Sequence, residues 1–71
     1  MAQQHTYSVS EIVGTSETSI DDAIRAGISR MNETIRNIGW FQVKEVRGHV
    51  TGGQVSHFQV TLKVGFTLED R

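Results

Sequence analysis

The segment HFQVTLKVGFTL, residues 57–68, decides the fold of this chain. Every second residue in it is apolar, without an exception, and side chains of a strand point alternately to its two faces. The pattern therefore predicts a strand over Val55–Leu68 with one buried face. That face consists of Phe58, Val60, Leu62, Val64, Phe66 and Leu68. A strand with one apolar face needs a second layer to cover it.

A hairpin joins this strand to the one before it. Residues 51–54, Thr-Gly-Gly-Gln, are typical of a tight turn, and the preceding segment Trp40–Val50 has strand character. Its alternation slips, because Phe41 and Val43 are followed by Val46 as the next apolar residue. A β-bulge near Lys44-Glu45 would return Val46 to the core face. The bulge would also turn Glu45, Arg47 and His49 outward, onto the face that Trp40 and Gln59 share.

An apolar stripe at three- and four-residue steps predicts a helix from Ser19 to Ile38. Ser19 is the expected N-cap, with Asp22 in position for a capping box, and Gly39 is the expected left-handed residue at the C-terminus. The stripe is Ile20, Ala23, Ile24, Gly27, Ile28, Met31, Ile35 and Ile38. We interpret it as the core-facing side of the helix, which covers the apolar face of the strands.

Tyr7–Val13 is the predicted first strand, with Gly14-Thr15-Ser16 breaking it. The element order is then β-α-β-β, and the predicted fold is α+β, with a three-stranded antiparallel sheet curled around a single helix. The first strand has a mixed apolar pattern, so one of its sides is expected to meet another subunit. Linkers, repeats and low-complexity tracts are absent, so residues 1–71 are predicted to form a single domain.

Composition narrows the function classes. The 71 residues have a net charge of −1, which argues against nucleic-acid binding. No apolar run approaches the ~18 residues of a membrane span and no signal peptide is evident, so a cytoplasmic protein without a membrane partner is expected. Cysteine is absent, and the three histidines make no metal-binding spacing, so no metal site is predicted. A chain this short buries only roughly 60% of its unfolded surface, which leaves oligomerisation as the means of stabilisation.

Trp40 is the single tryptophan, and strand parity turns it away from the core. A large aromatic side chain at a fixed outward position indicates either a stacking platform for a ligand or a subunit contact. The residues alone leave both alternatives open.

The segments YSVSEIVGTS (7–16), GWFQVKEVRG (39–48) and HFQVTLKVGF (57–66), with one helix between the first two, resemble a bacterial dodecin over nearly the whole chain. Dodecins are small flavin-binding proteins that assemble as hollow twelve-subunit particles of cubic symmetry. The resemblance implies a homododecamer with a flavin cofactor.

The resemblance also implies roles for particular residues. Trp40 matches the tryptophan that stacks on the isoalloxazine ring, with two flavins side by side between tryptophans of different subunits. Gln59 matches the glutamine at the polar edge of the flavin. Arg47 matches a basic position that favours FMN over riboflavin or related flavins, and Arg30 is a second phosphate candidate. Thr67 stands where relatives that hold coenzyme A have a basic residue, which argues against coenzyme A here.

Three functions follow as hypotheses. The leading one is an FMN-binding protein for storage, buffering and photoprotection of flavins. Catalysis is not expected, because both faces of each flavin would be covered and no nucleophile-base pair is evident. The alternative is a self-assembling structural or interaction module without a flavin, in which Trp40 anchors an interface. Arg47 could then pair with Glu45 or with a neighbouring subunit, as surface ion pairs commonly do.

Overall fold

A computed structural model describes residues 6–68 and confirms the predicted element order. The elements are strand β1 (Tyr7–Ser16), helix α1 (Ile20–Met31), strand β2 (Ile38–Thr51) and strand β3 (Gln54–Thr67). The strands form one sheet in the order β1-β3-β2, and both neighbouring pairs are antiparallel. The α+β fold is therefore as predicted, with the faultlessly alternating strand at the centre of the sheet.

The core lies between β3 and α1. Val60, Leu62 and Val64 are completely buried, and they pack with Ala23 and Met31 of the helix. Partly buried side chains complete this layer: Ile12, Ile24, Ile28, Ile35, Ile38 and Phe66. The core is small because one helix provides the entire second layer.

Helix α1 begins where the sequence predicts it to begin. The Ser19 hydroxyl accepts a hydrogen bond from the Asp22 amide at 3.0 Å, which is one half of a capping box. The Asp22 carboxylate does not return the bond to the Ser19 amide. It accepts a hydrogen bond from the buried Ser16 hydroxyl at 2.8 Å, and Ser16 Oγ in turn accepts from the amides of Thr18 and Ser19.

The predicted C-terminus of the helix is wrong. The helix ends at Met31, whose carbonyl accepts bonds from the amides of Thr34 and Ile35 in a terminal turn. The left-handed residue is Asn37, with φ 65°, and not Gly39, which lies inside β2. Asn tolerates this conformation, and its carbonyl there accepts the Thr67 amide, which joins the chain to β3.

The predicted end of the first strand is also wrong. β1 continues through Gly14 to Ser16, paired with β3 along its whole length. Glycine is required inside this strand because a Cβ on Gly14 would overlap the Ala23 carbonyl oxygen and would lie 3.4 Å from the Gly27 Cα. The glycine lets the helix lie directly against the strand, so it marks a close approach of two backbones rather than a break.

The predicted bulge and hairpin are confirmed. The β2–β3 register shifts between Val43 and Glu45, and Val46 then lies opposite the buried Val60. The turn consists of Gly52 and Gly53, whose φ angles of 60° and 77° are both positive, as a type I′ turn requires.

The helix leaves β2 uncovered. α1 packs mainly on β1 and β3, and the core-side residues of β2 remain exposed: Phe41 by 48%, Val43 by 41% and Val46 by 47%. We call these three side chains the apolar strip. An open groove beside it is lined by Ile24 and Ile28 of the helix and by Phe41. Across residues 6–68, no helix is long and apolar enough to cross a membrane.

Candidate functional site

The side of the sheet opposite α1 carries every predicted site residue except Arg30. We call this side the outer face. Residues paired across antiparallel strands share a face, so the register assigns each side chain to a side. The outer face consists of Tyr7, Val9, Glu11, Val13, Thr15, Trp40, Gln42, Glu45, Arg47, His49, His57, Gln59, Thr61, Lys63, Gly65 and Thr67. The outward assignment of Trp40, Arg47, His49 and Gln59 is therefore confirmed.

Trp40 lies across Gly65, its partner on the central strand. A Cβ on Gly65 would overlap Cε2, Cζ2 and Nε1 of the indole, so the ring lies directly on the glycine backbone. The Tyr7 ring flanks the indole on the β1 side, with ring centroids 6.0 Å apart and planes tilted by 59°. The indole is nevertheless 39% exposed. It is thus supported from below and from one side and open on its outer surface.

Gly65 and Tyr7 are neighbours of Trp40 that the sequence pattern did not identify as part of the candidate site. Gly65 interrupts the polar half of an otherwise regular strand, and a glycine inside a strand commonly marks a close approach of another group. That signal was available in the sequence. The position of Tyr7 depends on the strand order, which places β1 beside β3 and brings the first residue of β1 level with Thr67.

Arg47 and Gln59 lie directly opposite each other on β2 and β3. Gln59 is partly buried and Arg47 is exposed. Neither side chain has a hydrogen bond or ion pair within residues 6–68, so the predicted alternative of an Arg47–Glu45 pair does not occur in the chain. A guanidinium and an amide side by side on one face can recognise a ligand that carries an anionic group and a mixed donor–acceptor edge.

A single chain does not bring Trp40 together with this pair. Gly65 and Gln59 are six residues apart on β3, which is about 20 Å along a strand at 3.3–3.4 Å per residue. Arg30 is on the helix, which covers the opposite side of the sheet, and it lines a groove between α1 and β1. A flat ring stacked on Trp40 is therefore too short to contact Gln59 of the same chain, and Arg30 lies on the other side of the sheet.

Charged side chains cross the outer face between the two ends. Lys44, the extra residue of the bulge, extends over β3 and forms an ion pair with Glu11 on β1 at 3.0 Å. Both side chains are about half exposed, so the pair contributes little to stability. The sequence predicted the bulge but not this contact, because strand parity cannot place the extra residue of a bulge.

Within residues 6–68, no group of three or more histidine, cysteine, aspartate or glutamate side chains is arranged to hold a metal ion. The outer face offers an aromatic plate, amides, a guanidinium and imidazoles, and its two carboxylates, Glu11 and Glu45, are on different strands, with Glu11 paired to Lys44. This set suits a flat organic molecule with an anionic substituent better than a hard metal cation.

Comparison with known proteins agrees with this architecture. The family model described as Dodecin matches residues 6–69. The dodecin of Thermus thermophilus is 45% identical over 64 residues, which span 90% of this chain and 93% of that protein. The structure of dodecin from Streptomyces davaonensis matches with a TM-score of 0.92 at 53% identity, covering 96% of this chain and 100% of that one.

A more distant structure is the calcium-chelating immunodominant antigen calcium dodecin of Mycobacterium tuberculosis, described as having a novel calcium-binding site. It matches with a TM-score of 0.79 at 28% identity, covering 90% of this chain and 91% of that one. The present chain belongs to the dodecin family.

Proposed function

We propose that this protein binds FMN and serves to store, buffer and photoprotect flavins, with flavin pairs stacked between Trp40 side chains of adjacent subunits in a twelve-chain shell. The observation that carries the proposal is the indole of Trp40, which lies on Gly65 beside Tyr7 with its outer surface open. A supported, exposed aromatic plate is the arrangement that a flat heteroaromatic ligand needs. Membership of the dodecin family supports the same reading.

Stacking on Trp40 has a physical basis. Isoalloxazine is a flat, polarisable tricycle, and aromatic pairs contribute about 0.5–1.5 kcal/mol beyond the burial of area. The seat on Gly65 keeps the indole from rotating, so little side-chain freedom is lost when a ligand binds. An indole in contact with the flavin can also donate an electron to its excited state, and this would quench fluorescence and light-driven chemistry.

The polar groups of the ligand would be bound by other chains. Gln59 offers a donor and an acceptor to the edge of the ring system, and Arg47 beside it suits the phosphate of FMN. Arg30, on the other side of the sheet, is a second candidate for the phosphate in an assembly. The separation of about 20 Å between Trp40 and Gln59 along the strand means that two chains must build one site.

Titration of FMN fluorescence tests the proposal. The native protein should quench FMN strongly, Trp40→Ala should not, and Gln54→Ala, at the exposed hairpin turn, should behave as the native protein. Arg47→Ala should weaken binding of FMN more than binding of riboflavin, which has no phosphate. Quenching by Trp40→Ala equal to that of the native protein would overturn the stacked site.

Photoprotection needs its own measurement. FMN should bleach more slowly under blue light with the native protein than with Trp40→Ala at the same concentration. Equal bleaching rates would refute the protective role and leave the binding proposal intact, because binding is measured separately by the titration.

The second candidate is a self-assembling module in which Trp40 is an interface anchor without a ligand, and the subunit contacts that the apolar strip indicates are common to both candidates. Three exposed apolar side chains on one strand of a small chain are typical of a subunit contact. The two candidates differ in one variant. If Trp40 is only an anchor, Trp40→Ala should dissociate the assembly, whereas a stacking Trp40 should leave the assembly intact and lose the flavin.

A further inference from the structure

Two histidines near the end of the β2–β3 hairpin form a stacked pair. His49 and His57 are eight residues apart in sequence, but the register places them directly opposite each other on the outer face. Their ring centroids are 5.2 Å apart and the ring planes differ by 6°. His49 is exposed and His57 is partly buried, so both rings can be reached from solvent. The hairpin pairing thus brings together two histidines whose spacing in the sequence does not indicate a cluster.

A bulge beside the pair brings a serine hydroxyl next to one of the rings. His49 pairs with His57 while Val50 pairs with Val55, so Ser56 is the extra residue. The Ser56 hydroxyl oxygen lies 3.2 Å from the His49 carbonyl oxygen and 3.3 Å from Nδ1 of His57. A hydroxyl has one hydrogen, so Ser56 either donates it to the His49 carbonyl and accepts from His57, or donates it to His57 Nδ1.

The tautomer of His57 selects between these two arrangements. The tautomer with its hydrogen on Nδ1 donates to Ser56 Oγ and leaves the lone pair on Nε2 for a metal ion. A histidine that ligates a metal typically has this arrangement, with its other ring nitrogen donating to a nearby oxygen that orients the ring. Here the orienting oxygen is itself hydrogen-bonded to the backbone of the second histidine.

We propose that His49 and His57 form a binding site for a divalent late transition-metal ion such as Zn²⁺, Ni²⁺ or Cu²⁺, next to the Arg47–Gln59 pair of the proposed flavin site. Nε2 of His57 and a ring nitrogen of His49 are the two protein ligands, and water completes the coordination. Zinc–nitrogen bonds are about 2.0–2.1 Å, so two ligands of one tetrahedral ion lie roughly 3.3 Å apart. The stacked rings do not direct their nitrogens at one point, so metal binding requires the exposed His49 ring to rotate toward His57.

The surroundings determine which ions the site takes. Imidazole nitrogen suits Zn²⁺, Ni²⁺ and Cu²⁺, whereas Ca²⁺ and Mg²⁺ require oxygen ligands. The next pair along the outer face is Arg47 and Gln59, which offers no carboxylate. The Arg47 charge, about 7 Å further along the strands, opposes any cation, and salt screens that opposition. We expect a site of moderate affinity that binds metal ions suited to nitrogen ligands in preference to ions that require oxygen ligands.

Calorimetric titration with ZnCl₂ on the full chain tests this site. We expect one ion per chain, competition by Ni²⁺ and no competition by Ca²⁺. His49→Gln and His57→Gln should each weaken zinc binding by at least about tenfold, since each removes one of two protein ligands. Ser56→Ala keeps both ligands and should still weaken it, because loss of an orienting partner typically costs about 10–100-fold.

The third histidine of the chain provides the control. His5→Gln should leave zinc affinity unchanged, and all variants should keep the far-UV circular dichroism and the mass of the native assembly. With Cu²⁺ as the probe, electron paramagnetic resonance should show two coordinated nitrogens in the native protein and one in each single variant. Unchanged zinc affinity in both His49→Gln and His57→Gln, or no binding by the native protein at millimolar zinc, would overturn the proposal.

Discussion

Gly65 determines how Trp40 is presented. Because the indole lies on the Gly65 backbone, a methyl group there has no room. We expect Gly65→Ala to tilt the indole, to lower the free energy of unfolding by about 1–3 kcal/mol, as overpacking usually does, and to weaken FMN quenching. Denaturant unfolding, near-ultraviolet circular dichroism of the tryptophan band and the FMN titration measure the three effects.

Gly39→Ala is the matched control for this prediction. Gly39 precedes Trp40 directly, its φ is negative, and an added Cβ would lie 3.4 Å from Cε1 of Tyr7, an ordinary contact distance. We expect no loss of stability, because the unfolded chain loses freedom when glycine becomes alanine. Equal effects of the two substitutions on quenching would show that the seat on Gly65 does not orient the indole.

Ser16 is expected to matter more than the helix cap itself. Its buried hydroxyl makes three hydrogen bonds, to the Asp22 carboxylate and from the amides of Thr18 and Ser19, whereas Ser19 Oγ accepts one. Ser19→Ala should cost about 1 kcal/mol. Ser16→Ala should cost more, about 1–3 kcal/mol, because it leaves donors without a partner near the core.

Urea unfolding at one fixed protein concentration measures both substitutions, since the stability of an oligomer depends on concentration. Ser29→Ala is the control, because this exposed helical serine makes no side-chain hydrogen bond in the part of the chain that the structure describes. Alanine is the better helix former there, so no loss is expected. A Ser16→Ala cost below that of Ser19→Ala would contradict the assignment.

At the scale of elements, the sequence predicts which segments are strands more accurately than it predicts the residues at which strands and the helix end. Period-two alternation identified β3, and a slip in it located the bulge at Lys44-Glu45, because one extra residue exchanges the two faces of a strand. The apolar spacing predicts a helix that extends seven residues too far at its C-terminus, because Ile35 and Ile38 continue the helical spacing. Both pack on the core from a non-helical segment, and burial alone does not reveal backbone conformation.

Some features of the candidate site could likewise be predicted from the sequence, and others could not. The outward faces of Trp40, Arg47 and Gln59 follow from parity and could be predicted. The distance of about 20 Å between the ends of the site could not, because it depends on which residues the hairpin register pairs. Gly65 could be recognised from its place in the strand pattern, whereas the position of Tyr7 depends on strand order, which is a property of the tertiary fold.

Contact between β1 and α1 depends on two facing glycines. A Cβ on Gly14 would overlap the Ala23 carbonyl oxygen, a backbone atom that cannot move alone, whereas a Cβ on Gly27 would lie 3.3 Å from Gly14 Cα. We expect Gly14→Ala to lower the free energy of unfolding by about 1–3 kcal/mol. Gly27→Ala should be near neutral, because a helix propensity gain of about 1 kcal/mol offsets the tight contact.

Thermal and denaturant unfolding of the two variants, side by side, test the packing of this element pair. Each variant adds one methyl group to the same interface, so a difference in stability between them arises from the position of the methyl group and not from its chemistry. If Gly27→Ala proves as damaging as Gly14→Ala, the helix lies closer to the strand along its whole length than the two contacts indicate.

A single chain is more extended than a compact folded protein of the same length. Its radius of gyration is 14.9 Å and its extents are 58 × 20 × 14 Å, whereas a compact chain of this length has a radius of roughly 11 Å. The β2–β3 hairpin runs past the end of β1, and the apolar strip on β2 lies level with β1 but outside the cover of the helix. A shape with this much exposed apolar surface indicates that other copies of the chain cover it.

Assembly and flavin binding should therefore be lost together. Phe41→Asp places a charge in the apolar strip, which a subunit interface cannot accommodate without a partner for it. We expect native mass spectrometry to show the native protein at about twelve times the 7.9 kDa of one chain and Phe41→Asp at a small fraction of that mass. FMN quenching should disappear in the variant although Trp40 is unchanged, because Trp40 and Gln59 of one chain cannot contact the same flavin.

Gln54→Asp adds the same charge at the exposed hairpin turn and should keep both the mass and the quenching. The informative case is a dissociated Phe41→Asp that still quenches FMN with native affinity. That result would mean that one chain suffices for the site, and the geometric argument for a site shared between chains would be wrong. An assembled Phe41→Asp with native quenching would instead show that the strip lies outside the interface.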